Sequence, residues 1–415
     1  MAKLVVNGHQ SLNGDVQLSG DQQTIMAIQA AALLATQGTT IVDNVPATTN
    51  IDLMNRFLQT MNVMVDFDHQ QKILRMDATR RIDPVKISGQ ALIAAGSTLA
   101  RCHAVWLVDN GVSDDYREEI LNISSGLQQM GATVEKSAEG LKITTTRLIG
   151  QNVDLQSSGM ITTLNMMMAA TLAQGITVLN HPNQSPAVVE LAKVLNKMGG
   201  RVHGAGTDTI RIQGVTFMHS TDYYALSDQE EAGVYLVLGA VTAGDILVHG
   251  ALREHLRSVI RLLSEMGNTV ITQRDGIRII GTSLLLPTNE VDITQFQQLG
   301  EYLQMAILGL QMLANGQTIV KGFTTDQLGM LGCTITNEDR RMTYHNHQLK
   351  IEGPIKQHPT MISTTSPVMG LLALVNALAI DQRIVIDPAE VVSGSFANLM
   401  DQLISLGAKI DLSFD

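Results

Sequence analysis

Between residues 169 and 214 hydrophobic and polar positions alternate in an order that specifies a unit of local structure. Residues 176–179 are a short apolar run rich in β-branched side chains, the composition of a strand. A polar break follows at 180–183. Val188, Val189, Leu191, Ala192 and Leu195 then recur at the spacing of one helix face. Gly199 stands just beyond, where a left-handed residue closes the last turn and the missing Cβ removes the steric penalty. Two short strands, 201–203 and 209–212, joined by a turn at 204–208, complete the unit.

The step from a helix-capping residue into a strand recurs at Asn62, Gly131, Gly199, Gly267, Gly332 and Gly407. These positions are separated by 69, 68, 68, 65 and 75 residues, which predicts six copies of one supersecondary unit. Helices alternate with short strands, so the expected class is α/β, with copies sharing closed cores rather than forming an open array. In chain order, 3–6 and 14–18 read as a hairpin with Asn13 and Gly14 at its turn. A helix opening at 19–24, capped by Ser19 or Asp21, runs on toward Gly38. The second copy takes a helix through 92–101, a strand at 106–108, a turn at 110–113 and a helix to Gly131. The pattern pauses at 215–227, a candidate domain boundary, and resumes at an acidic helix start, Asp228, Glu230 and Glu231. The fifth copy is irregular, with a short helix at 325–330 and a charged loop at 337–341.

Composition narrows the class. The 415 residues are 45% hydrophobic but only 3% aromatic, so the core is aliphatic, with many of the 21 Met residues as filling. Met166, Met167 and Met168 lie in the helix that leads to Gly175 and read as core. A net charge of −11 argues against nucleic acid or an anionic membrane surface as partner. No apolar run is long enough to span a bilayer and no signal-peptide pattern opens the chain. Cys102 and Cys333 are far apart and outside any metal-ligand spacing, which reads as reduced thiols in a cytoplasmic protein. His345 and His347 would share one face of a strand, but no third ligand lies near them in sequence, so no metal site is expected. Glycine-rich phosphate loops, the zinc-protease motif and the nucleophile elbow are all missing from the sequence.

Over nearly its whole length the chain resembles the enolpyruvyl transferase family. The residues that carry the resemblance are 20–23, the stretch 167–214 with Gly206, Thr207 and Asp208, then Asp228, Glu231 and Gly233, and the six-fold repeat itself. Within the family it is more similar to the UDP-N-acetylglucosamine branch of peptidoglycan synthesis than to the shikimate-phosphate branch. The resemblance implies a two-domain inside-out α/β barrel built from six repeats, helices inside and strands outside. It assigns repeats four to six to a first domain, 1–20 plus 226–415, and repeats one to three to a second, 21–225. It implies a ligand cleft between them and calls for no cofactor.

The family joins a sugar hydroxyl to phosphoenolpyruvate and expels phosphate. That chemistry needs cations for the anions, an acid for the enol carbon and a carboxylate for the hydroxyl proton. Here the lysine–asparagine pair opening the first helix is Gln22 and Gln23, and an arginine of the second repeat falls at Gly89. The loop that carries the acid cysteine is reduced to 111–113, with Glu118 at the place of the arginine beyond it. The Ser-Val-Gly that touches the nucleotide is Gly159, Met160 and Ile161, and the base aspartate falls at Tyr302, beside Glu301. Arginines of the last two repeats fall near Lys321, Pro367 and Gly394. No catalytic residue is intact, and the cleft candidates are Gln22, Gln23, Asp228, Glu231, Glu301 and Tyr302. The expected function is a catalytically degenerate homologue that binds a nucleotide sugar or other small molecule, or that regulates an active paralogue. The alternative is a working transferase with a rearranged site, its acid Glu301 or Glu231. Acidic residues at helix starts also have a purely structural use, as capping charges.

Overall fold

The computed structural model describes residues 2–109, 112–155, 159–322, 341–346, 348–355, 359–393 and 396–413. The helix expected at 325–330, the loop at 337–340, Asn110, Gly111, Gly332, Cys333, His347 and Gly394 lie outside the described residues. The fold is mixed α/β, and the chain divides into two compact units, Gly20–Leu226 and Met1–Ser19 with Ser227–Asp415.

In the unit Gly20–Leu226 the helices are α1 (Gln22–Ala32), α2 (Thr49–Thr60), α3 (Ala95–Cys102), α4 (Asp114–Gln129), α5 (Met160–Thr171) and α6 (Pro186–Lys197). Every residue of α1 from Thr24 onward and every residue of α5 from Thr162 onward is buried. Such helices have no solvent face, and their buried polar residues, among them Gln29 and Asn165, are bonded inside the unit. Met166, Met167 and Met168 are fully buried on α5. α2, α4 and α6 keep one polar face and bury the other. Among the described residues the strands form one two-stranded pair and three four-stranded sheets of one design, each with a short parallel edge strand followed by three antiparallel ones.

The unit that includes Ser227–Asp415 is built from α7 (Gln229–Val241), α8 (Arg257–Glu265), α9 (Glu301–Leu313) and α10 (Pro367–Ala379), with two shorter helices at Glu390–Ser393 and Leu399–Ser405. α7, α9 and α10 are buried almost throughout. Among the described residues three more four-stranded sheets belong to it. The expected capping residues do occupy the left-handed region: Asn62 at φ 68°, Gly131 at 92°, Gly199 at 95°, Gly267 at 94° and Gly407 at 100°.

Two local expectations are corrected. The first two strands do not form a hairpin. Lys3–Asn7 lies between Arg383–Asp387 and Lys409–Ser413, antiparallel to both, while Asn13–Gln17 runs parallel to Asp245–His249 in another sheet. The chain turns away at Gly8, where an ideal Cβ would stand 2.0 Å from the Ile380 carbonyl oxygen, and at His9, in the left-handed region at φ 60°. The helix after Asp21 ends at Ala32, not near Gly38, because Ala35–Gln37 pairs as a strand with Met218–His219. His345 ends a strand and Asn346 stands in the left-handed region at φ 51°, while His347, the other member of the expected pair, lies outside the described residues.

Candidate functional site

In the unit Gly20–Leu226 the candidate residues open α1. Asp21 is the N-cap, accepting from the Thr24 backbone N–H at 2.7 Å, and its own N–H donates to the Leu226 carbonyl. Gln22 is half-buried, and its Oε1 accepts from the Thr48 hydroxyl at 2.5 Å. Thr48 is in turn the N-cap of α2, so Gln22 ties two helix starts together. Gln23 is exposed. Gly89 sits in the left-handed region at φ 57°, and its carbonyl accepts from the Tyr116 hydroxyl at 3.3 Å. An arginine at that position would carry a backbone penalty of about 1–2 kcal/mol before it reached any ligand.

A cluster that the sequence pattern did not single out lies beside Asp21. Glu190 on α6 is buried, accepts from the Tyr223 hydroxyl, and holds the Lys193 ammonium at 2.6 Å. The Lys197 ammonium stands 5.4 Å over the Tyr223 ring, a cation–π geometry. Burial pushes the Asp21 carboxyl above its ordinary value, hydrogen bonds from Thr24 and Gln23 oppose this, and the Glu190 charge adds to the rise. Burial, then the hydrogen bond to Glu190, raises Tyr223 well beyond the usual phenol range. The buried glutamate is preceded and followed by helix-face apolar residues, and the pairing to Tyr223 spans 33 positions, so no local signal marked it.

In the other unit the candidates gather where α7 meets α9. Asp228 is the N-cap of α7, accepting from the N–H groups of Glu230 and Glu231 at 2.9 and 3.0 Å. Glu230 reaches across to α9, where its Oε1 accepts from the Tyr302 N–H at 2.7 Å and the Leu303 N–H at 3.3 Å. It supplies the side-chain cap that Gly300, the N-cap residue of α9, does not. Glu231 is 1% exposed, and its charge contributes to raising the fully buried Tyr235 phenol, whose shift comes first from desolvation. Glu301 is exposed, and the Tyr302 ring packs 5.2 Å from that of Phe396. Lys321 is paired with Glu290 at 2.7 Å. Pro367 takes the first position of α10, behind the cap Ser366.

Asp228, Glu231, Glu301 and Tyr302 are thus brought to one pair of helix starts, and Gln22 and Gln23 to another, each within its own unit. Among the described residues no group of three His, Cys, Asp or Glu is arranged to hold a metal. Among them no helix is long and apolar enough to cross a membrane.

The family model for EPSP synthase, 3-phosphoshikimate 1-carboxyvinyltransferase, matches residues 6–403. UDP-N-acetylglucosamine 1-carboxyvinyltransferase 2 of Staphylococcus saprophyticus is 29% identical over 420 residues, covering 99% of both chains. UDP-N-acetylglucosamine 1-carboxyvinyltransferase 1 of Staphylococcus epidermidis is 28% identical over 428 residues, again covering 99% of each. Among solved structures, the enolpyruvyl transferase NikO from Streptomyces tendae superposes with a TM-score of 0.84 at 18% identity, over 99% of both chains. EPSP synthase from Acinetobacter baumannii gives a TM-score of 0.80 at 18% identity over the whole of both chains. At those identities the structural matches establish the fold.

Proposed function

The chain belongs to the EPSP synthase family of carboxyvinyltransferases, and from that premise we propose that it keeps the family's fold, has lost its reaction, and serves in binding or regulation. The observation that carries this reading is the chemistry of the positions the family reserves for cations. Among the described ones, Gln22, Gly89, Glu118 and Pro367 bear no positive charge, and Lys321 is held by Glu290. Each lost charge-assisted contact to a phosphate or carboxylate removes about 1.5–3 kcal/mol, and a lost acid or base about 10²–10⁴ in rate. Effects within one site do not add simply, but several such losses together leave no useful turnover.

In this reading the six four-stranded sheets, three in each unit around buried helices, are six repeats with helices inside and strands outside. The domains are 1–20 plus 226–415 and 21–225. The ligand is a nucleotide sugar or a related small molecule, by likeness to the staphylococcal transferases, and an active paralogue is a candidate partner. Gln22 and Gln23 in one unit, and Tyr302 in the other, are neutral hydrogen-bonding groups at positions where the resemblance expects charged or catalytic ones.

A second reading rests on Glu231. A carboxylate this deeply buried beside Tyr235 is a candidate acid for a rearranged but working site. The restoration variant Gln22→Lys separates the two. Returning one cation to a site that lacks several is expected to give no phosphate release from phosphoenolpyruvate and UDP-N-acetylglucosamine. Turnover recovered by that single change would overturn the proposal, and its loss on adding Glu231→Gln would identify the acid.

A further inference from the structure

The sheet that holds Asn13–Gln17 and Asp245–His249 has one covered edge and one bare edge. At the covered edge the Asn13 N–H donates to the Leu406 carbonyl, and the Gln402 amide donates to the Gln17 carbonyl, so the chain around the helix Leu399–Ser405 closes it. The strand at the other edge, Thr269–Thr272, pairs antiparallel with Gly276–Ile280. The Gln273 N–H donates to the Gly276 carbonyl, and bonded pairs alternate along an antiparallel ladder. Thr269 and Ile271 therefore bond inward, while Val270 and Thr272 turn their N–H and C=O groups outward. Among the described residues no group of the protein bonds to those outward atoms.

A bare edge is a template for another strand, and chains commonly blunt such edges with charge. The outer strands Met64–Asp68, Thr133–Ser137 and Lys409–Ser413 carry Asp66 and Asp68, Glu135 and Lys136, and Lys409 and Asp411. Met342–His345 follows Arg341 and closes on a histidine. Thr269–Thr272 reads Thr-Val-Ile-Thr, β-branched throughout, with neither charge nor proline. On the outer face of its sheet Ile271 and Ile280 lie on one diagonal and are 42% and 39% exposed. Leu286 is exposed as well, against Gly267, two residues before the strand.

We propose that two copies of this chain meet at this edge: Thr269–Thr272 pairs antiparallel with itself about a two-fold axis at Ile271, joining two four-stranded sheets. A second copy is the fitting occupant because an antiparallel strand edge is its own complement. With Ile271 opposite Ile271, Val270 of each copy faces Thr272 of the other, and every outward N–H and C=O of the strand is bonded. The two isoleucines meet at the closer, non-bonded spacing, where side chains touch. Charge is compatible with this register. Arg274 and Asp275, in the adjoining turn, come opposite Asn268 and Gly267 of the second copy, so no like charges face each other. An axis at Val270 would instead call on Asn268, whose N–H already donates to the Leu263 carbonyl. A strand edge this short buries an area at the low end for protein pairs, so the dimer is weak and forms at about 10–100 µM. The inference goes beyond the binding role and holds whether or not the chain turns over substrate.

The test is the mass of the full chain by sedimentation equilibrium, from about 1 µM to about 1 mM. The wild type should pass from monomer to dimer over that range and go no further, because a two-fold contact closes on itself. Ile271→Lys and Ile271→Glu change an exposed side chain and set like charges against each other at the axis, and each should weaken the dimer about tenfold or more. An equimolar mixture of the two variants should dimerise again, since opposite charges then meet. Thr272→Pro removes an outward N–H, leaves the internal ladder intact, and should weaken the dimer likewise; it decides the matter if a charged variant fails to fold by circular dichroism. A wild type that stays monomeric throughout leaves the edge to some other chain and overturns the inference. So does a dimer that the substitutions leave unchanged, or growth into larger species. Charged variants that stay apart when mixed overturn the axis at Ile271.

Discussion

Replacing Gly300 by alanine should destabilise the unit that contains α9 by roughly 2–4 kcal/mol, from two sources. The backbone there stands at φ 130°, a conformation that costs a residue with a Cβ about 1–3 kcal/mol. The new Cβ would also lie 2.1–2.3 Å from the carboxyl carbon and both oxygens of Glu230, so that side chain must leave. The Tyr302 and Leu303 N–H groups then lose their acceptor, at about 0.5–2 kcal/mol for a helix cap. For a unit of this size each kcal/mol lowers the melting temperature by about 2–4 °C, so a fall of roughly 5–15 °C is expected by circular dichroism. The double variant isolates the contact. With Glu230→Ala already present, the added Cβ displaces nothing, and Gly300→Ala should cost only the backbone strain. The two substitutions should therefore fall short of additivity by about the value of the cap, 0.5–2 kcal/mol. A Gly300→Ala protein that melts within about 1 °C of the wild type, or strict additivity in the cycle, would refute the capping role of Glu230.

Other outcomes follow from the same geometry. Met166→Ala empties a fully buried position on α5 and should cost about 2–5 kcal/mol in urea unfolding; a loss under 1 kcal/mol would mean that the core around α5 is not close-packed. Tyr223→Phe removes the hydroxyl that donates to buried Glu190 and should cost about 1–3 kcal/mol, while a neutral result would show that Lys193 alone satisfies the carboxylate. Burial holds the Asp21 carboxyl above its unfolded value, so the folded chain binds that proton more tightly than the unfolded one. The resulting stability is complete below the unfolded value near 3.9 and is lost as pH rises through the raised folded value. Asp21→Asn, which still caps α1, should therefore gain stability relative to the wild type as pH rises from about 4, and a difference that is constant with pH would contradict the shift.

Local chemistry was readable in the sequence where the cause is local. The left-handed closures at Asn62, Gly131, Gly199, Gly267 and Gly407 follow from what each residue allows its own backbone, and they stand where the pattern put them. The methionine run on α5 is buried because that segment has no polar face to offer solvent. Asp21 and Asp228 cap helices through bonds two or three residues away. The pairing of Lys3–Asn7 was not readable, because its partners lie more than 370 residues away and the Asn13–Gly14 turn signal competes with nothing nearby in sequence. The same limit hid Glu190 and Glu230. Each looks like an ordinary helix carboxylate until the fold brings Tyr223 or the start of α9 against it.

The most direct measurement is phosphate release from phosphoenolpyruvate with UDP-N-acetylglucosamine, at high protein concentration, with Gln22→Ala as the control. A protein that has kept the fold and lost the reaction should release no more phosphate than that control. Release that exceeds the control and requires both substrates would contradict the account and establish a live, rearranged site.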